Sequence, residues 1–173
     1  MRLLPAAART WSAWRNGGGR TSEVAIAPPG APLDGFDWRI SIAQIERNGP
    51  FSAFPGVTRS LVLLSGGPLL LRGTDATRRL EPGEAWHAFD GDMAIDAEVA
   101  APATVLNVMT RSGWQHLIGA GPAPADAERL LVARTPLRIG EIALAAFDAL
   151  WLAPEDGKMP AGADVEIRIW RAA

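Results

Sequence analysis

The sequence predicts an all-β protein, folded as an antiparallel barrel or double sheet. Three observations carry this. Glycine (18) and proline (14) are spread along the 173 residues, where they punctuate short apolar runs. Two segments, Trp38–Ile45 and Ala103–Arg111, alternate with the period of two that a strand requires. Nine or ten such short strands can be read along the chain, with few helices, and closing them on one another removes exposed edges.

The elements follow in order. In Trp38–Ile45, the side chains of Trp38, Ile40 and Ile42 share one face and those of Arg39, Ser41 and Ala43 the other. Residues 61–64 and 69–71 are apolar runs flanking Ser65-Gly66-Gly67-Pro68, a hairpin signal. Turns are expected at Glu81-Pro82-Gly83-Glu84 and Phe89-Asp90-Gly91-Asp92, with a strand over residues 93–99. In the 103–111 segment Val105, Asn107, Met109 and Arg111 fall together, opposed by Thr104, Leu106, Val108 and Thr110. Residues 119–126 read as a surface connection. Residues 136–152 are ambiguous: alanine content allows a short helix, while Gly140 and Asp148 at strand-like spacing favour strands. Val165, Ile167 and Ile169 alternate with polar neighbours in a C-terminal strand.

Composition bounds the function. A single domain over residues 1–173 would bury roughly 70% of its unfolded surface. The chain is 48% hydrophobic and 21% charged with a formal net charge of −2, so it is not of the disordered class and carries no electrostatic case for nucleic acid. Its basic residues are arginines apart from Lys158. With no cysteine, disulfides, thiol catalysis and Cys-ligated metal centres are excluded. The first nine residues carry too short an apolar run for a signal segment, and no stretch approaches the roughly 18–20 apolar residues of a membrane span. The expectation is a cytoplasmic protein without a membrane partner.

Four segments suggest a pocket. Asn16-Gly17-Gly18-Gly19, followed by Thr21, presents backbone amides unshielded by side chains, which fits either a flexible turn or an anion-accepting concavity. Arg39 and Ser41 share a face. If that face is interior, the guanidinium needs an acceptor, and a carboxylate suits it by bidentate geometry. Asn107, Met109 and Arg111 pose the same choice between an outer and an inner face. Gly49-Pro50-Phe51-Ser52-Ala53-Phe54-Pro55-Gly56, with Arg59 beyond, is a restrained loop whose rings either cap the core or wall a cavity. There is no nucleophile elbow, no phosphate-binding glycine loop and no carboxylate pair. His87 and His116 are the two histidines; Glu84, His87 and Asp90 make a weak metal set, so no metal or other cofactor is expected.

Taken together, Trp14-x-Asn16-Gly-Gly-Gly19-x-Thr21-x-Glu23, Trp38-Arg-Ile-Ser-Ile-Ala43, Gly49-Pro-Phe-Ser-x-Phe-Pro-Gly56-x-x-Arg59, Phe89-Asp-Gly-Asp92 and Asn107-Val-Met-x-Arg111 resemble, in order, the HutD/Ves family. The resemblance covers residues 5–115 most strongly. It implies a cupin fold of the RmlC-like jelly-roll kind, with one or two barrel-like halves. It also implies a bacterial protein linked with histidine utilisation that binds a small carboxylated metabolite such as N-formylglutamate or urocanate. One departure is Val105, where the family commonly has an acidic residue. The leading expectation is a binding protein for a small anionic metabolite, with Arg39 and Arg59 on its carboxylate and Asn16, the Gly17 and Gly18 amides, Thr21, Ser41, Ser52, Asn107 and Arg111 as polar partners. Phe51, Phe54 and Met109 would form the apolar wall. The alternatives are a metal-independent isomerase or hydrolase using Glu23, His87 or Asp90, and a scaffold that pairs as a homodimer or with another protein.

Overall fold

A computed structural model of the chain describes residues 1–83, 86–156 and 165–172. The strands in chain order are β1 (Arg2–Leu4), β2 (Trp11–Ala13), β3 (Gly19–Ala27), β4 (Trp38–Ile45), β5 (Gly49–Pro50), β6 (Val57–Gly66), β7 (Leu69–Arg72), β8 (Thr77–Leu80), β9 (His87–Asp90), β10 (Asp96–Val99), β11 (Ala103–Arg111), β12 (Trp114–Ile118), β13 (Glu128–Val132), β14 (Leu137–Ile139), β15 (Ile142–Leu144), β16 (Ala149–Leu152) and β17 (Val165–Arg171). Every described pairing is antiparallel. The helical pieces among the described residues are two short 3-10 turns, Ala6–Ala8 and Pro154–Asp156, so no helix there is long and apolar enough to cross a membrane. The chain divides into two compact units, Thr10–Ser112 and Met1–Arg9 with Gly113–Ala173.

The Thr10–Ser112 unit is a double sheet. Six strands run in the order β2-β3-β4-β11-β6-β9 and four in the order β5-β10-β7-β8. Among the described residues the two sheets are separate in their hydrogen bonding, so the expected antiparallel barrel takes the form of a double sheet rather than a cylinder closed by hydrogen bonds. Between them Ala43 and Ile45 of β4, Leu61 and Leu63 of β6, and Ala103 and Val105 of β11 meet Leu69, Leu71, Leu80 and Ala97 of the smaller sheet. The central strands β4 and β11 are buried on both faces, which is why each carries apolar residues in both alternating sets.

The expected hairpin around residues 65–68 does not form. The run 61–64 belongs to β6, which pairs with β11 and β9, while the run 69–71 belongs to β7, which pairs with β10 and β8. The two glycines carry the chain from one sheet to the other. Gly66 has a φ of +99°, and a Cβ there would fall well inside van der Waals contact with the Pro102 carbonyl oxygen. The strand expected over 93–99 is also shorter, beginning at Asp96. The Ile95 carbonyl just before it accepts a 2.8 Å hydrogen bond from the Phe51 amide of a loop.

In the other unit the sheet order is β1-β16-β13-β17-β12, with β14 and β15 as a separate hairpin. The ambiguous 136–152 stretch is therefore extended. Its helical reading fails at Ala145–Asp148, where the Asp148 carboxylate accepts from the Ala145 amide (2.8 Å) and the Ala6 amide (2.6 Å). Phe147 sits there at φ 69°, its own amide donating to Ala133 at 2.7 Å. Leu131, Ala133, Leu144, Leu150 and Leu152 form the core beside this turn.

His116, on β12, gives this unit a pH dependence. Burial pushes its imidazole down to about 4, whereas the unfolded chain takes up that proton below about 6.5. Its contribution is complete above pH 6.5 and is lost as the pH falls from there toward 4. The midpoint of thermal unfolding should fall across that window, and His116→Gln should flatten the fall. Identical pH profiles for the two proteins would refute the assignment.

Candidate functional site

The site is built by register. Across β4, β11 and β6, Ser41 stands opposite Asn107, which stands opposite Leu61; Arg39 stands opposite Met109, which stands opposite Arg59. Directly opposed residues in antiparallel strands project to the same face. The flanking strands extend both rows, β3 placing Glu23 beside Ser41 and β9 placing His87 beside Leu61 and Phe89 beside Arg59. This is the inner face of the six-stranded sheet. It is apolar at the end formed by Ala43, Ile45, Leu63, Ala103 and Val105, and polar at the end holding Arg39, Ser41, Arg59 and Asn107.

Both arginines are buried, Arg39 at 8% and Arg59 at 4% exposure. Arg39 donates through Nε to Glu23 Oε2 (3.1 Å) and through Nη1 to Ser41 Oγ (3.2 Å). Arg59 sits among three rings, its guanidinium carbon 4.9 Å from the Phe89 centroid, 5.3 Å from Phe54 and 5.4 Å from Phe51. One Arg59 nitrogen donates to the Ser52 carbonyl (3.0 Å), while its Nε is buried without a partner among the described residues. Asn107 is 8% exposed, and its Oδ1 is likewise buried without a partner there.

The electrostatics are unbalanced. The described buried residues of this unit include two arginines and neither Asp nor Glu. Glu23, with its side chain 43% exposed, serves Arg39. Among the described residues nothing anionic serves Arg59, whose guanidinium is pushed down to about 10, first by burial and then by the like charge of Arg39. It is therefore still a cation at neutral pH.

The cover of the site is pinned from several sides. The amide of Phe54 donates to Gly91 O at 2.8 Å and that of Gly56 to Asp92 Oδ2 at 3.2 Å. Arg111 lies over the Phe36 ring, 4.9 Å from its centroid, and donates to the Pro55 and Asp34 carbonyls at 3.2 and 3.0 Å. A cleft of about 400 Å³ opens nearby, lined by Leu71, Arg78, His87, Phe89, Met93 and Ile95 among others. Phe89 is common to the cleft and the arginine cluster; Arg39, Arg59 and Asn107 do not line the cleft.

The architecture and this site can now be set against known proteins. A HutD family model matches residues 6–168. The chain belongs to the HutD family. Protein Ves of Citrobacter koseri is 43% identical over 100 residues, which is 57% of this chain and 51% of that protein, so the chain spans about half the length of the curated relatives it matches. The structure of HutD from Pseudomonas fluorescens SBW25, in a formate condition, is 25% identical with a TM-score of 0.77 and 99% of both chains covered. A conserved protein of unknown function from Pseudomonas aeruginosa PAO1 is 26% identical with a TM-score of 0.69, over 98% of this chain and 92% of that one.

In this HutD-family chain the structure brings together Arg39, Ser41, Asn107, Met109, Arg59, Phe51 and Phe54. Met109 is 1% exposed between the two arginines and packs with Phe36 and Val57, so it separates the cations and belongs to the core. Ser52 contributes its carbonyl, its residue being exposed. Thr21 lies opposite Ala43, one row further along, and its hydroxyl accepts from Trp14 Nε1 at 2.7 Å. Arg111 braces loops.

The Asn16 block is elsewhere. Gly19 pairs with Ile45, six residues along β4 from Arg39, so the turn lies roughly 20 Å from that arginine at strand rise. Its amides are engaged within the turn: Gly17 donates to the Trp14 carbonyl (3.0 Å) and Gly18 to Asn16 Oδ1 (2.9 Å). Asn16, Gly17 and Gly18, expected to hold the other polar end of the ligand, are thus not brought to the arginines, and the turn itself uses the Gly17 and Gly18 amides. Glu84 of the weak metal set lies outside the described residues; among those residues no cluster of three metal-ligating side chains occurs. Glu23, expected only as an acid or base of the alternative enzyme, and Phe89, expected only in a turn, join the arginines. The signal for Glu23 was the acceptor a buried Arg39 requires.

Proposed function

We propose that the protein binds a small carboxylated metabolite, of the kind of N-formylglutamate or urocanate, at the Arg39–Arg59 end of the inner face, with a metabolic or regulatory role in histidine utilisation. The observation that carries this reading is the buried Arg59, in one row with Arg39 and without an anionic partner among the described residues. A desolvated guanidinium without a counterion is costly alone and becomes favourable when a carboxylate enters with it. Val105 sits in the apolar end, and the described residues offer no buried acid there. Membership of the HutD family supports the assignment to histidine utilisation.

A ligand-induced shift in thermal unfolding tests the reading. Formate, succinate, urocanate and N-formylglutamate should be compared with neutral amide analogues. A carboxylate at about 100 times its dissociation constant should stabilise the protein by roughly 2.7 kcal/mol, and the neutral amide should not. Arg39→Ala should weaken carboxylate binding by about tenfold to a hundredfold, the worth of a charged hydrogen bond. Equal response to acids and amides, or unchanged binding by the variant, would defeat the proposal.

A further inference from the structure

Two buried polar atoms on this inner face lack a partner among the described residues, and they are opposite in kind: Arg59 Nε donates and Asn107 Oδ1 accepts. Both belong to side chains more than nine-tenths buried. They stand on neighbouring strands of one face, because Asn107 is opposite Leu61 and Arg59 is two residues along the same strand from Leu61. That diagonal relation puts their backbones about 7–8 Å apart, within the span of one small molecule. Of the residues opposite Asn107, Leu61 has no polar side chain, and the Ser41 hydroxyl accepts from Arg39 and donates nothing to Asn107 Oδ1.

We infer that Asn107 is a specificity determinant: the pocket selects a carboxylate that also carries an N–H or O–H donor a few bonds away. This rests on the carboxylate reading above and narrows it. The anion satisfies Arg59 and the donor satisfies Asn107 Oδ1, so one ligand settles both buried groups. A carboxylate without a donor leaves the acceptor unpaired, and a buried unpaired acceptor is a strong basis for rejection. Both atoms are out of solvent contact, so the entering ligand displaces what covers them. At Arg59 that cover is the Ser52 carbonyl and the Phe51 and Phe54 rings.

The test uses N-acetylglycine and levulinate, two carboxylates of nearly the same shape in which an amide N–H is replaced by CH2. Calorimetric titration of the full chain should show N-acetylglycine binding at least about tenfold more tightly. In Asn107→Leu the ratio should fall to about one, with levulinate affinity retained or improved. A ratio of one in the parent protein, or a preference that survives Asn107→Leu, overturns the selectivity while leaving the carboxylate site standing. Failure of both acids to bind the parent, at concentrations where the control titration is clean, removes the carboxylate reading and the selectivity together. The comparison in the parent protein stands whether or not the variant folds.

Discussion

Replacing Arg59 with methionine should abolish carboxylate binding and leave the protein as stable as the parent or more so. The guanidinium is held at about 10, well below its ordinary value, which corresponds to about 3 kcal/mol of unfavourable environment for the charge at 1.36 kcal/mol per pKa unit. Against this stand one hydrogen bond to an exposed residue's carbonyl and the stacking on three rings. Methionine keeps the unbranched stem, and its sulfur packs well against the same rings. Buried charges exchanged for apolar groups of similar volume are commonly neutral to stability or favourable. The functional loss should be large, on the order of a hundredfold or more in affinity, because no other cation replaces Arg59 at that end of the row. Denaturant unfolding and titration with a carboxylate on the same sample check both halves. A variant that unfolds more easily, or binds as the parent does, would show that Arg59 is part of the scaffold.

The second large effect is on the backbone. Gly66→Ala should destabilise the protein by about 3 kcal/mol or more, combining left-handed strain with a steric clash. At this position φ is +99°, and the added Cβ would meet Pro102 O and lie 2.8 Å from Ala103 Cα, which are backbone atoms that cannot step aside. Gly113→Ala is the matched control. Its φ is +86° and nothing lies within 4 Å of the added carbon, so it should cost only the conformational strain, about 1–2 kcal/mol. Equilibrium urea unfolding of the two variants separates the contributions. Equal losses would mean that Gly66 is kept for its torsion alone and not for the crossing between sheets.

Strand identity was legible where side chains alternate. Trp38–Ile45 and Ala103–Arg111 were read with the observed bounds, and the residues expected to share a face do share one. What alternation could not decide was which face is inner, because β4 and β11 are covered on both sides. The run 61–71 shows a different limit. Two glycines announce a reversal of the chain, but the partner of β6 is β11, some forty residues away, and a local turn signal carries no information about it. The Asn16 block fails for the same reason. Its residues are polar and glycine-rich like a ligand loop, yet register sets it at the far end of β4.

The amino-acid order by itself determined the class of fold, the period-two strands and the membership of Arg39 with Ser41, and of Asn107 with Met109, in common faces. Those properties follow from geometry within a single strand. Tertiary structure alone decided that the two pairs stand side by side with Arg59 between three phenylalanines, and that one cation there has no counterion among the described residues. Register across β4, β11 and β6 is fixed by the packing of distant apolar side chains, and charge balance in a buried space depends on which strands that packing brings together.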